Sequence, residues 1–237
     1  MSTVIDFHSH ILPGIDDGSP SVEQSIAMLQ AEAAQGIRHV VATPHFYAQH
    51  HKPESFLRKR AEAEARLREE MEKHPDLPKL SVGAEVLYFG GISDSAALAE
   101  LTIDGSEYIL VEMPMPPWSE RVYKELRDIS RKQGLMPIIA HVDRYIAPFR
   151  THSIPKRLAE LPVLIQANAE FFLQRPTKNM ALRMLKQGRI HLLGSDCHNL
   201  TDRAPNLRQA LDVIEKKFGP EILELICYYQ EEVFPNG

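Results

Sequence analysis

Two cysteines, Cys197 and Cys227, are too few for a disulfide framework in 237 residues, and a reducing cytoplasm is the expected compartment. No apolar run approaches the roughly 18–20 residues that cross a bilayer. The N-terminus has no basic segment followed by an apolar core, so neither membrane insertion nor a secretory signal is expected. An excess of positive charge is missing as well. Lys and Arg number 27 against 32 Asp and Glu, a formal charge of −5, which leaves no electrostatic footprint for nucleic acid or an anionic membrane. Internal repeats, low-complexity segments and linkers are absent. What remains is a composition of 43% hydrophobic and 25% charged residues, suited to one domain over residues 1–237 with a sizeable core.

The first informative stretch is Asp6-Phe7-His8-Ser9-His10-Ile11-Leu12-Pro13-Gly14-Ile15-Asp16-Asp17-Gly18. Residues 4–7 read as a short buried strand. Side chains two apart on an extended chain point to the same side, so His8 and His10 converge just past the strand. Pro13-Gly14 turns the chain, and Asp17-Gly18 brings a carboxylate back over the strand end. Two imidazole nitrogens and a carboxylate make half of a divalent-metal site.

Six further strands are expected over 39–43, 80–84, 108–111, 136–140, 163–167 and 191–195. Helices are expected between and after them, beginning with one capped by Ser19, with Pro20 at its first position and Gly36 as its stop. The others cover 54–73, 96–101, 120–132, 155–161, 178–186, 207–218 and 220–233. The charges of 54–73 mark a solvated outer face. Strands alternating with helices give an α/β fold with a parallel sheet, and seven such units suit a closed or nearly closed barrel. Barrel enzymes keep their chemistry at the C-terminal strand ends. This chain puts His8 and His10, His45, Glu85, Glu112, His141, and Asp196 with His198 there. His50, His51, His74 and His152 scatter over helices and loops, and His39 and His191 begin strands on the opposite rim.

Counting Asp17, the strand-end set holds five imidazoles and four carboxylates. Zinc alone takes about four ligands, so the set suits two or three ions held close together. Three dications against four carboxylates leave a formal excess of about two positive charges, which attracts an anion. Nitrogen and oxygen donors without thiolate suit Mn²⁺, Fe²⁺ and Zn²⁺. Arg144 follows His141 by three residues and Arg203 follows His198 by five, and a guanidinium fork matches phosphate oxygens. Hydrolysis of a phosphate monoester by in-line attack of a metal-bound hydroxide is the reaction class expected.

The HxH opening, a His after the second strand, a Glu after the third, a His after the fifth and a late Asp-x-His resemble the polymerase and histidinol phosphatase (PHP) superfamily, from residue 6 to about 203. Within it, Asp6-x-His8-x-His10-Ile11-Leu12-Pro13-x-x-Asp16-Asp17-Gly18 is similar to the CpsB/YwqE group of bacterial tyrosine-protein phosphatases. The resemblance implies a distorted (β/α)7 TIM-like barrel and a trinuclear centre, often manganese. It implies that His8, His10, Glu85 and Asp196 hold one ion, that Glu85 bridges to a second bound by Glu112 and His141, and that Asp17, His45 and His198 hold a third. Arg144 and Arg203 match the phosphate-binding positions, and Asp143 is a weaker candidate proton donor whose plainer role is to orient a neighbour. The resemblance further implies a cytoplasmic enzyme acting on a phosphotyrosine protein, a bacterial tyrosine autokinase that governs capsule or exopolysaccharide assembly. A tyrosine phosphate leaves as phenolate, whose conjugate acid has a pKa of about 10, so a site without an obvious general acid still suffices.

Three other readings stay open on the sequence. Cys197 to Arg203 fits the C-x5-R spacing of cysteine-dependent phosphatases, but the stretch has no glycine and sets Asp202 where a dianion would sit. A small-molecule enzyme, such as a histidinol-phosphate phosphatase or an amidohydrolase, is the second, although the latter lacks an evident bridging lysine. A non-catalytic metal-binding scaffold is the third.

Overall fold

The computed structural model describes residues 4–149 and 153–235; His152 lies outside them. Its strands are β1 (Asp6–Ser9), β2 (His39–Ala42), β3 (His45–Phe46), β4 (Lys79–Val82), β5 (Glu85–Leu87), β6 (Tyr108–Glu112), β7 (Met136–Ile139), β8 (Leu164–Asn168) and β9 (Leu192–Gly194). The helices are α1 (Val22–Ala34), α2 (Pro53–Met71), α3 (Glu120–Gln133), α4 (Asp143–Ile146), α5 (Ser153–Leu158), α6 (Glu170–Leu173), α7 (Lys178–Lys186), α8 (Leu207–Phe218) and α9 (Ile222–Val233). All strand pairs are parallel, in the orders β1-β2-β4 and β3-β5-β6-β7-β8-β9. The curl closes where His10 N donates to Cys197 O at 2.9 Å and Asp196 N donates to His8 O at 2.8 Å. The barrel expected from the sequence is therefore present, with its strands buried against the surrounding helices as parallel strands require.

Two strands differ from expectation. The run expected over 80–84 breaks into β4 and β5, so Glu85 opens a strand instead of ending one, and His45 likewise opens β3. Pro44 has no N–H for the ladder. The chain bends there, with Gly83 N bonding Ala42 O at 2.9 Å and Glu85 N bonding Pro44 O at 3.0 Å. The break swings His45 and Glu85 inward over the barrel mouth. Helix α1 also starts later than expected: Ser21, not Ser19, is its cap, accepting from Gln24 N. Ser19 is occupied elsewhere, its N–H closing the turn onto His10 O at 2.9 Å.

Helix α2 buries only Phe56, Ala63 and Leu67 and turns its charges outward, as expected. His39 bonds Ser81 Oγ at 2.7 Å and His191 Nδ1 accepts from Ile165 N at 2.8 Å, so both serve the barrel wall away from the mouth. Among the described residues no helix is long and apolar enough to cross a membrane.

Gly194 faces β1 so closely that an added Cβ would lie 2.6 Å from His8 Cβ and 2.8 Å from Gln166 Nε2. Gly194→Ala is expected to lower the unfolding free energy by about 1–3 kcal/mol, read by urea denaturation.

Candidate metal centre

Each strand delivers its polar group to one mouth by a distinct local device. β1 carries His8 outward, and His10 follows on the turn that Asp16 fixes by accepting from Gly18 N at 3.0 Å and His45 N at 3.0 Å. The broken strands supply His45 and Glu85, and β6 ends on Glu112. His141 and Asp196, just past β7 and β9, hold left-handed backbone at φ 30° and 56°. Non-glycine residues rarely adopt that conformation, and when they do it is often at a functional site.

The side chains meet around Glu85, which is 1% exposed. Its Oε2 lies 2.9 Å from His45 Nδ1, 3.2 Å from His8 Nε2 and 3.3 Å from His10 Nε2, and its Oε1 lies 2.7 Å from His141 Nε2. Asp196 Oδ1 is 3.5–3.6 Å from the same two nitrogens of His10 and His8. Glu112 is 3.7 Å from His141, and Asp17 is 3.4 Å from both His45 and His198. All nine predicted ligands are thus drawn to one place. At this mouth three sets among the described residues could each hold a metal ion: His8, His10 and Glu85; His45, Glu85 and Glu112; and His10, Asp17, His45 and His198, with His141 and Asp196 in none of them. His45 Nδ1, Glu85 Oε2 and His198 Nε2 are buried yet have no aligned hydrogen-bond partner. Buried polar atoms are seldom left so, and lone pairs aimed at a common centre fit cations.

The charges interlock. Burial would lower the His10 pKa, but hydrogen bonds to Asp16 and Glu85 overcome it and raise His10 to about 10. Burial would raise Asp16, but His10, 2.7 Å away, brings it down to about 2. Burial would also raise Glu85, yet the surrounding imidazoles hold it well below the carboxylate range. Glu112 is pushed up by burial and by the Glu85 charge, while burial and the nearby His10 lower His198 to about 4.

Arg144 Nη2 donates to Asp196 Oδ2 at 2.5 Å and Arg203 Nη2 to Asp196 Oδ1 at 2.8 Å, so both predicted arginines stand at the mouth. Asp143 instead accepts from Asn168 N at 3.1 Å, the orienting role. Cys197 is fully buried, and burial pushes its thiol well above the ordinary range; such a thiol is no nucleophile. The C-x5-R reading therefore fails.

Sequence reasoning gave no role to Asp16, Tyr145, Gln166 or Asn168, which support the candidate ligands. Asp16 holds His10 Nδ1, Tyr145 shares a hydrogen bond with His141 Nδ1 at 3.1 Å, and Gln166 Oε1 lies 3.3 Å from His8 Nδ1. Asn168 Nδ2 donates to Asp196 Oδ2 at 2.9 Å. Gln166 and Asn168 left a trace in the sequence, as polar residues in the apolar eighth strand.

A parallel α/β barrel gathering imidazoles and carboxylates at the C-terminal strand ends defines the class, a multi-ligand metal-binding barrel of enzyme type. The chain belongs to the family described as Capsular polysaccharide synthesis, CpsB/CapC, whose model matches residues 4–233. It is 31% identical to the tyrosine-protein phosphatase YwqE of Bacillus subtilis, over 98% of this chain and 92% of that one. It is 32% identical to the tyrosine-protein phosphatase CpsB of Streptococcus pneumoniae, over 91% of each. Among solved structures, one from work on YwqE of Bacillus subtilis and CpsB of Streptococcus pneumoniae, unique metal-dependent tyrosine phosphatases, superposes with a TM-score of 0.86 at 29% identity. That match covers 98% of this chain and 95% of the other.

The raised pKa of His10 has a consequence for metal uptake. Near neutral pH its ring carries a proton that an entering dication must displace. Mn²⁺ binding to the metal-free protein is expected to release protons and to tighten as pH rises from about 6 to about 8. Calorimetry in buffers of different ionisation enthalpy measures both.

Proposed function

We propose that the protein is a metal-dependent phosphoesterase, a protein-tyrosine phosphatase with three divalent ions, acting as one domain over residues 1–237. The observation that carries this reading is the meeting of four imidazoles on Glu85 beside an Asp196 that two arginines bracket. His8, His10, Glu85 and Asp196 would hold the first ion. Glu85 presents one oxygen toward His141 and the other toward His8, His10 and His45, which suits a bridge to a second ion held with Glu112 and His141. Asp17, His45 and His198 would hold the third. Manganese is the metal that the family resemblance favours, and the same donors serve Fe²⁺ or Zn²⁺. Ions bound there would supply positive charge to phosphate oxygens and acidify a water.

The chain's own residues do the rest. Arg144 and Arg203, 40% and 37% exposed, hold N–H donors at the solvent side of the centre, where phosphate oxygens arrive. Asp16, Tyr145 and Gln166 fix imidazole orientation, so the centre reorganises little as charge develops. A phenolate leaves without strong protonation, consistent with Asp143 being bonded away from the centre to the Asn168 amide. The relatives named above, tyrosine-protein phosphatases, support a phosphotyrosine protein as substrate, and the family resemblance favours a bacterial tyrosine autokinase of capsule assembly as that protein. So few cysteines, Cys197 and Cys227, both buried, accord with a reducing, cytoplasmic setting.

Hydrolysis of a phosphotyrosine peptide is expected to stop in EDTA, return with Mn²⁺ and survive Cys197→Ser; the opposite pattern would sink the metal mechanism. Histidinol phosphate should be the poorer substrate, and a clear preference for it would overturn the tyrosine assignment. Arg144→Ala and Arg203→Ala should each reduce kcat/KM about 10- to 100-fold, the loss of one charged hydrogen bond of roughly 1.5–3 kcal/mol, as steady-state kinetics on the same peptide will show.

A further inference from the structure

Behind the metal-binding face lies a second acidic group that the mechanism leaves unused. Asp6, at the start of β1, and Glu32, near the end of α1, are both fully buried. Their carboxylate oxygens and the Cys197 sulfur lie within 4.8 Å of one another. One Asp6 oxygen is well employed. Oδ1 accepts from Ser195 N at 2.9 Å and from His8 N at 3.1 Å. One of these amides lies on β1 with His8 and the other just past β9 beside Asp196, so a single oxygen straps the two chain segments together. The same seam is closed by Asp196 N on His8 O and His10 N on Cys197 O. Asp6 Oδ2 and both Glu32 oxygens, by contrast, take no aligned donor from the described residues. What they face is each other, beside the Ser195 side chain.

Two carboxylate anions cannot share so dry a place. A single proton between them turns the repulsion into a charge-assisted hydrogen bond. Burial, and after it the charge of Asp6, pushes Glu32 well above its ordinary range. Asp6 already accepts two backbone N–H groups on Oδ1, which favours its charged form, whereas neither Glu32 oxygen takes an aligned donor among the described residues. Glu32 is therefore the donor and Asp6 the acceptor.

We propose that Asp6 is a positioning residue for the metal centre, holding the His8 and Asp196 segments in register, and that Glu32 completes it by donating a hydrogen bond to the oxygen that the backbone leaves free. The consequence for metal binding rests on the reading of the centre given above, but the contact itself does not.

Three proteins test it: wild type, Glu32→Met, which fills the space without a donor, and Glu32→Gln, whose amide donates in place of the carboxyl. Amide hydrogen exchange at His8 and Ser195 is measured in the metal-free protein, and Mn²⁺ affinity and stoichiometry by calorimetry. Glu32→Met should speed exchange at both amides and weaken Mn²⁺ binding about 10- to 100-fold, with kcat falling and KM little changed. Glu32→Gln should restore all of these. Wild-type exchange in Glu32→Met, or equal damage in Glu32→Gln, overturns the proposal. So does the loss of one bound ion per chain in Glu32→Gln, which would make Asp6, Glu32 and Cys197 a metal site. A wild type that binds no Mn²⁺ counts against the metal reading, and the exchange data then judge the Asp6–Glu32 contact by themselves.

Discussion

A carboxylate buried among imidazoles is the constraint that the mouth of this barrel is built to meet. Glu85 is 1% exposed and lies within 3.3 Å of nitrogens from His8, His10, His45 and His141. A lone ionised carboxylate at that depth would cost several kcal/mol. The histidines remove the cost only by carrying protons or by sharing cations with it. Protons leave buried atoms without aligned partners, as at His45 Nδ1 and His198 Nε2, whereas dications would use those lone pairs. Proton and metal would thus compete for the same nitrogens, drawn there by the charge of Glu85.

Satisfying Glu85 requires residues from β1, β3, β5 and the turn after β7 to come within a few ångströms. A regular barrel of unbroken strands would keep their side chains along the wall. The breaks at Pro44 and Gly83, and the left-handed backbone of His141 and Asp196, aim them across the mouth instead. Such backbone costs of order 1–3 kcal/mol per residue and persists only when its surroundings over-determine it. Here they do: His141 N is held by Gln166 Oε1 at 2.6 Å, and Asp196 takes side-chain donors from Asn168, Arg144 and Arg203.

The parts legible in the sequence were those set by local rules. Helices α7 and α8 fall on the residues expected, 178–186 and 207–218. The nine candidate residues were legible because most of them follow an apolar run expected as a strand, a place where a parallel barrel gathers residues distant in sequence. The strand breaks were harder to see, since Pro44 and Gly83 signal irregularity without saying which way the chain then turns. Helices α4 and α6 have only four residues each, too short for periodicity to register. Asp16, Gln166 and Tyr145 take their roles from tertiary neighbours. Glu32 is the extreme case, because nothing in an amphipathic helix says that one acid will be buried against another.

Those neighbours decide which nitrogen each histidine offers. His10 Nδ1 is bonded to Asp16, His141 Nδ1 to Tyr145 and His198 Nδ1 to the Asp196 carbonyl, while His8 Nδ1 faces Gln166. In all four the Nδ1 side is engaged and Nε2 is left for the centre, which is how supporting contacts select tautomer and ring angle at metal sites. His45 is the exception, turning Nδ1 toward Glu85 and Nε2 toward Asp17. It also stands on the open side, with Asp17 64% exposed. The deep half, His8, His10, Glu85 and Asp196, is fixed by the barrel before any ligand arrives. The outer half, Asp17, His45 and Glu112 with the two arginines, borders solvent, the side from which a phosphate would approach. Rigidity behind and access in front follow from the same arrangement: the barrel seam immobilises one side of Glu85 and the strand breaks leave the other open.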